Sequence, residues 1–162
     1  MSRIYQRVYF RLSVSPDRRK KRGPPLCPPV IMFFGAGMKE EIKKRILDAL
    51  GKIPEGYLSD LVIKETIRCV LFGWLKEQGL IPVPAFRNPR YPEGPADIVG
   101  TKPGPVIEIA FRSNPAIELE DVKSLDRVPA EKKFVITFSK LQKKVEMSTF
   151  YLKPGVEHIH LY

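Results

Sequence analysis

The hydrophobic pattern of the chain predicts two helices, followed by a sheet. Residues 39–50 and 60–78 repeat their apolar side chains at the three-to-four spacing of an α-helix. Ser59 is a typical N-cap for the second segment, and Gly79 is a typical residue to close it. Because the second segment is apolar around most of its circumference, we expect it to be buried on more than one side.

Three later segments have the composition and alternation of strands. Residues 80–86 read "LIPVPAF", whose prolines favour an edge strand. Residues 95–112 read as a hairpin around a Pro-Gly turn, and residues 133–139, "KFVITFS", as a strand inside a sheet. A helical segment, 116–128, separates the last two strands. A strand, helix and strand in succession form a right-handed crossover, so these two strands should be parallel.

These elements predict an α/β fold, a mixed central sheet flanked by helices, in one domain spanning residues 38–162. The last segment, residues 144–162, is expected to add one or two strands. Residues 1–37 are basic, rich in proline and without periodicity, which predicts a disordered tail before the N-terminal helices. Met38 opens the helical part, and a native start at this residue is left open.

Charge and cysteine content restrict the class of protein only loosely. The net charge is +10, but eight basic residues and Asp17 put +7 of it in residues 1–37, so the domain itself is only mildly basic. Cys27 and Cys69 lie far apart, without the spacing of a disulfide framework or a zinc site, which favours a reducing cytoplasm. No run approaches the roughly 18 apolar residues of a membrane span, so no membrane partner is expected.

The hairpin carries one acid on each strand, Asp97 and Glu108. Side chains alternate across a strand, and an even-length turn makes opposed residue numbers sum to an odd value. Asp97 and Glu108 then share a face, and the isoleucines of both strands take the other. Two carboxylates on adjacent strands lie about 4.5–8 Å apart and would repel unless a cation lies between them. Oxygen ligands of this kind suit Mg²⁺ or Mn²⁺.

The predicted elements follow in the order helix, strand, hairpin, helix and apolar strand, and the hairpin carries Asp and then Glu-x-Ala. This order resembles that of the PD-(D/E)xK nuclease superfamily. This is the restriction-endonuclease-like fold shared by Holliday-junction resolvases and many repair nucleases. The resemblance covers roughly residues 59–140. "PAD" corresponds to the P-D motif with one residue inserted, giving Asp97, and "EIA" corresponds to the (D/E)xK motif, giving Glu108 and Ala110. It implies a restriction-endonuclease-like core.

The resemblance also implies a metal site and a chemistry. The ligands of Mg²⁺ or Mn²⁺ would be Asp97, Glu108 and the Ile109 carbonyl. An acid on the preceding helix would complete the site, either Glu65 or, as the alternative, Asp60. The metal would activate a water for phosphodiester hydrolysis. The motif lysine, which positions that water in the family, is replaced by Ala110. Its role could pass to one of two residues: Arg112, which can clamp a phosphate but cannot act as a base, or Lys123 on the next helix.

The sequence therefore predicts a metal-dependent DNA nuclease or a degenerate nuclease-like DNA-binding protein. Many nucleases of this fold are dimers, so a homodimer is a further expectation. Three alternatives stay open. The acids could form only a salt-bridge cluster with neighbouring arginines, the helices and hairpin could be a winged-helix DNA-binding unit, or the domain could be a structural interaction module that lost its site.

Overall fold

A five-stranded mixed sheet forms the centre of the domain, and its strands lie side by side in the order in which they occur along the chain. The computed structural model describes residues 37–90, 94–104 and 106–162. The first three strands are antiparallel, and the last two continue in parallel from the third. The strands are β1 (Ile81–Phe86), β2 (Ala96–Thr101), β3 (Ile107–Asn114), β4 (Ala130–Thr137) and β5 (Val156–His160).

Helices cover both faces of this sheet. Two long helices precede it, one connects β3 to β4, and one short helix connects β4 to β5. Two single 3₁₀ turns lie at Glu55–Tyr57 and Thr149–Tyr151. The helices are α1 (Gly37–Leu50), α2 (Asp60–Glu77), α3 (Leu119–Asp126) and α4 (Gln142–Ser148).

Each face of the sheet has its own hydrophobic core. On the first face α1 and α2 pack over β3 and β4, where Trp74 meets Phe111 edge to face at 6.2 Å and Phe111 stacks on Phe134. On the second face α3 places Val122 and Leu125 against the sheet. The sheet is therefore a middle layer, and its side chains must satisfy a different helix on each side.

The predicted helices and the parallel crossover are confirmed. The side chain of Ser59 accepts a hydrogen bond from the Val62 amide at the start of α2, and β3 and β4 are parallel. β1 pairs with β2 alone among the described strands, which confirms its edge position. A winged helix has no use for a buried parallel strand after a crossover helix, so β4 argues against that alternative.

The C-terminal segment, residues 144–162, was expected to add one or two strands, and it adds one, β5. Its first residues form the end of α4, a helix that the sequence did not predict, which turns Val145 and Ser148, three residues apart, towards the core. The Ser148 hydroxyl accepts a hydrogen bond from the Ile117 amide and donates one to the Val145 carbonyl, so tertiary contacts hold this short helix. The predicted disorder of the tail concerns residues that, up to Ala36, lie outside the described part of the chain, whereas Gly37 and Met38 begin α1.

In the described ranges no helix is both long and apolar enough to cross a membrane.

Gly100 on β2 lies where the sheet and α2 approach most closely, and its substitution tests this packing. A Cβ at this position would lie 2.6 Å from Leu75 Cδ2, 2.9 Å from Ile109 Cγ2 and 3.0 Å from Leu80 Cδ1, all of them core side chains. We expect Gly100→Ala to lower the free energy of unfolding by about 1–3 kcal/mol, measured by chemical denaturation. Gly73→Ala is the matched control. That glycine is exposed inside α2 with open space around it, and alanine there should stabilise by about 1 kcal/mol.

Candidate functional site

Asp97 lies at the start of β2, where its side chain extends the pairing of the hairpin. The β2–β3 register pairs Ile98 with Phe111, and one residue earlier Asp97 would lie opposite Arg112. Asp97 Oδ2 accepts hydrogen bonds from the Ser113 amide and the Ser113 hydroxyl, both at 2.6 Å. The carboxylate thus takes the place of a backbone carbonyl at the end of the ladder and is fixed there.

Three cationic side chains converge on the other oxygen of Asp97. Oδ1 lies 3.6 Å from Lys64 Nζ, 3.9 Å from Arg68 Nη2 and 3.8 Å from Arg112 Nη1. Lys64 and Arg68 are four residues apart on α2 and so project from the same side of that helix. Helix α2 therefore approaches the hairpin acid with two cations.

A ring of polar contacts extends this arrangement to α3. Arg112 Nε donates to Asp121 Oδ1 at 2.8 Å, and Arg112 Nη1 donates to the Pro95 carbonyl. Asn114 closes the ring, since its Nδ2 donates to Asp121 Oδ1 at 2.6 Å and its Oδ1 accepts from Lys64 Nζ at 3.2 Å. We call these side chains the Asp97 cluster: Lys64, Arg68, Asp97, Arg112, Ser113, Asn114 and Asp121.

The Asp97 cluster lies at the carboxyl edge of the parallel strands. Asn114 ends β3 and pairs with Thr137, which in turn pairs with His160 at the end of β5. The connections that follow β3 and β4 leave the sheet at this edge. The position of the cluster in the fold is thus one at which a ligand can be reached by several elements.

Acids and cations of the cluster differ in their exposure. The side chains of Asp97 and Asp121 are 5% and 0% exposed, whereas those of Lys64 and Arg68 are 24% and 28% exposed. Arg68 Nε is buried and has no hydrogen-bond partner. A ligand that approaches from solvent therefore meets the cations first, and one donor of Arg68 remains to be satisfied.

Glu108, the second predicted metal ligand, lies elsewhere on the hairpin. It is the extra residue of a β-bulge opposite Gly100 and Thr101, four residues along β3 from Arg112, or roughly 13 Å. Its Oε1 pairs with Lys102 Nζ at 2.8 Å. The structure therefore does not bring Glu108 to Asp97. The residues that face Asp97 are Arg112 and Ser113.

Ala110 stands where the resemblance to the nuclease motif would place a lysine. Ala110 is fully buried, in the core that α3 forms with Val99, Val122 and Val135. A lysine here would place an ammonium group among apolar side chains, which costs several kcal/mol. The Glu-x-Ala segment is thus part of the sheet's packing beneath α3.

The other predicted site residues are also dispersed. Glu65 is half exposed on α2, and its Oε2 pairs with Arg68 Nη1, one turn further along the helix, at 3.1 Å. Asp60 is exposed in the first turn of α2, and Lys123 is exposed on α3. Ile109 lies in the middle of β3, between Gly100 and Lys132 of the neighbouring strands.

The donor set around Asp97 does not fit a divalent cation. One carboxylate oxygen accepts two hydrogen bonds from Ser113, and the other faces three cationic groups that would repel a metal ion. Among residues 37–90, 94–104 and 106–162 no group of three or more His, Cys, Asp or Glu side chains could hold a metal ion. The arrangement suits an anion better, because its accessible groups are donors.

Five members of the Asp97 cluster were not expected from the sequence: Lys64, Arg68, Ser113, Asn114 and Asp121. For Lys64 and Arg68 the sequence did contain a signal, which is their position relative to the buried isoleucines of α2. Ile63 and Ile67 face the sheet, and the next residue after each is the cation that reaches Asp97. Asn114 and Asp121 gave no such signal, because the contact between them depends on how α3 docks.

A second polar group lies beside the cluster on the edge strand. Thr137 Oγ1 is within 2.8 Å of His158 Nε2 and 3.0 Å of His160 Nδ1, and the two rings stack at 6.3 Å. Burial, the charge of His160 and the charge of Lys39 lower the pKa of His158 from its ordinary value of 6.5. One ring nitrogen of each histidine thus lies within hydrogen-bond distance of the Thr137 hydroxyl.

Removal of the Asp97 carboxylate should strongly destabilise the fold. Asp97→Ala leaves three cations and the Ser113 donors without their acceptor, so we expect the free energy of unfolding to fall by about 3 kcal/mol. Glu108→Ala removes an acid whose partner Lys102 is largely in solvent, and should cost less than about 1 kcal/mol. Urea denaturation of both variants measures the difference. Equal losses would show that Asp97 is no more important to the fold than a surface ion pair.

Stability should fall in mildly acidic solution because of His158. Its pKa is lower in the folded protein than in the unfolded chain, so the unfolded chain binds more protons and the folded state loses stability as the pH drops below about 6.5. Denaturation of the wild type at about pH 7.5 and about pH 5.5 should show this loss. His158→Gln replaces the imidazole with an amide that can bond to Thr137 but does not titrate, and it should reduce the loss of stability. An unchanged loss in this variant would assign the pH dependence to another group.

Comparison of the chain with protein-family models, with curated proteins and with solved structures found no match. The features that bear on its function are therefore those described above: the mixed sheet, the position of Asp97 on the hairpin and the cations that surround it.

Proposed function

We propose that this chain is a nuclease-like DNA-binding protein that holds a backbone phosphate, and no catalytic metal, at the Asp97 cluster. The phosphate would lie at the solvent side of Lys64 and Arg68, opposite the buried carboxylate. Asp97 would then orient the two cations from behind, as a fixed counter-charge. The recognised ligand in this proposal is a phosphodiester group of DNA.

The single observation that carries the proposal is the order of charges from the interior to the surface. Both carboxylates of the cluster are buried, and the two α2 cations are the accessible groups. Three cations face two buried acids in the cluster, and the exposed Glu65, which pairs with Arg68, balances the remaining positive charge.

The order of elements supports the nuclease-like part of the proposal. Helix, strand, hairpin, crossover helix and parallel strand follow one another as the resemblance to the PD-(D/E)xK superfamily implies. Asp97 lies at the start of the second strand, next to the preceding helix. At this position the resemblance implies an acid on α2, and the cluster has Lys64 and Arg68 instead.

Hydrolysis is left out of the proposal because the cluster offers no group to activate a water. Arg112 remains protonated in proteins and cannot act as a base. It is also held by Asp121 and by the Pro95 carbonyl. Lys64 and Arg68 would stabilise the charge of a phosphate, but neither is placed to take a proton from a nucleophile.

Substitution of the α2 cations tests the phosphate site. We expect Lys64→Ala and Arg68→Ala each to weaken DNA binding by about tenfold, since a hydrogen bond to a charged group contributes about 1.5–3 kcal/mol. Each lost phosphate contact should also flatten the dependence of log K on log salt by about 0.7–0.9. Fluorescence anisotropy with labelled DNA over a range of salt concentrations measures both. Lys44→Ala, which removes an exposed lysine of α1, is the matched control and should leave the affinity nearly unchanged.

A cleavage assay separates this proposal from a metal-dependent nuclease. Supercoiled plasmid, single-stranded DNA and a branched junction are incubated with Mg²⁺, Mn²⁺ or EDTA, and we expect binding without cleavage in each. Metal-dependent cleavage that is lost in Glu65→Gln or Glu108→Gln would contradict the proposal and restore the acids as metal ligands. Absence of DNA binding at low salt would instead favour an interaction module.

A further inference from the structure

The segment after β4 exposes large apolar side chains that the core does not use. On α4 and the 3₁₀ turn after it, Met147 is 73% exposed and Phe150 is 87% exposed. The rings of Phe150 and Tyr151 lie 6.0 Å apart, edge to face, and Leu141 is also exposed. We call residues 140–153 the α4 surface. The exposure of Phe150 leaves much of its ring accessible to a flat ligand.

The α4 surface is also basic. It contains four exposed lysines and one acid, Glu146. Lys153 pairs with Asp126, whereas Lys143 and Lys144 form no ion pair within the described part of the chain. Lysine is depleted in the centre of protein–protein interfaces, and like charges would oppose the docking of a second copy of this chain. The charge favours a polyanion with apolar, planar groups.

A cavity of about 330 Å³ lies at the inner side of this surface. Met147, Tyr151 and Lys144 line it from the α4 surface, and residues 115–118 line it from the connection after β3. Its volume is at the lower end of the range of ligand pockets, which suits a small planar group.

The same connection joins the α4 surface to the Asp97 cluster. Asn114 binds Lys64 and Asp121, and the cavity begins at the next residue, Pro115. Ser148 of α4 accepts a hydrogen bond from the Ile117 amide, which holds the helix against this connection. The cations of the cluster and the α4 surface are thus joined through residues 114–118.

We infer that the α4 surface binds the unpaired bases of single-stranded DNA whose phosphates lie on the Asp97 cluster, an inference that rests on the proposed function. Phe150 and Tyr151 would stack on bases, and Lys143 and Lys144 would follow the backbone between them. Bases in a duplex are stacked on one another and cannot reach these rings. Stacking on an aromatic side chain tolerates any base, so the preference is for single strands and is independent of sequence.

Three labelled probes of equal length test this inference by anisotropy: a mixed-sequence single strand, its duplex, and a single strand of abasic residues. We expect the wild type to prefer the base-bearing single strand. Phe150→Ala should weaken binding to that strand at least about fivefold and leave the abasic strand unaffected, and Phe150→Trp should restore binding. Tyr57→Ala, at an exposed ring on the first 3₁₀ turn, is the matched control and should have no effect.

The outcomes distinguish the two proposals. Unchanged single-strand affinity in Phe150→Ala, with losses in Lys64→Ala and Arg68→Ala, would overturn the stacking inference and leave the phosphate site standing. A loss in Phe150→Ala with unchanged binding in both cation variants would overturn the proposed function and the link between the two surfaces. A wild-type dimer that Phe150→Ala converts to a monomer, seen by sedimentation without DNA, would make the α4 surface an interface between copies and overturn the inference.

Discussion

The buried carboxylate of Asp97 is the contact on which the arrangement of this domain depends. A charge in the interior must be matched by donors and opposite charges, or its group is expelled to solvent. Asp97 finds its donors on β3 and its opposite charges on α2, and Arg112 carries the connection on to α3. One acid thus fixes the hairpin relative to helices on both faces of the sheet.

The same requirement accounts for the chemical character of the site. Because Asp97 is satisfied from within, the groups left towards solvent are the outer parts of Lys64 and Arg68. The resemblance to nucleases would place acids that hold a metal at this position. In this chain the cations are accessible there, and the proposed phosphate would contact them without a metal between. The proposed stacking surface, with Phe150 and Tyr151, is joined to this position through residues 114–118.

Much of the fold was predictable because its determinants are local. The helical spacing of Ile42 and Ile46, the cap at Ser59 and the prolines of β1 each act within a few residues. The odd-sum pairing of the hairpin was predicted as well, and it holds from Ile98 to Gly100. The α4 helix was missed because it is short and has few buried residues, and its contacts with residues 115–118 lie far away along the chain.

The sequence by itself determined that an acid would lie at the start of the second strand, beside an apolar helix and ahead of a parallel crossover. Only the tertiary structure decided which residues surround that acid. The bulge at Glu108 sets the register that places Arg112 and Ser113 opposite Asp97. The packing of α2 on the sheet sets the rotation of this helix about its axis. Lys64 and Arg68, which follow the buried Ile63 and Ile67, therefore point at the hairpin, and Glu65 does not. Both depend on contacts between residues distant in sequence, and an α2 rotated by one residue would bring Glu65 to the site in place of Lys64.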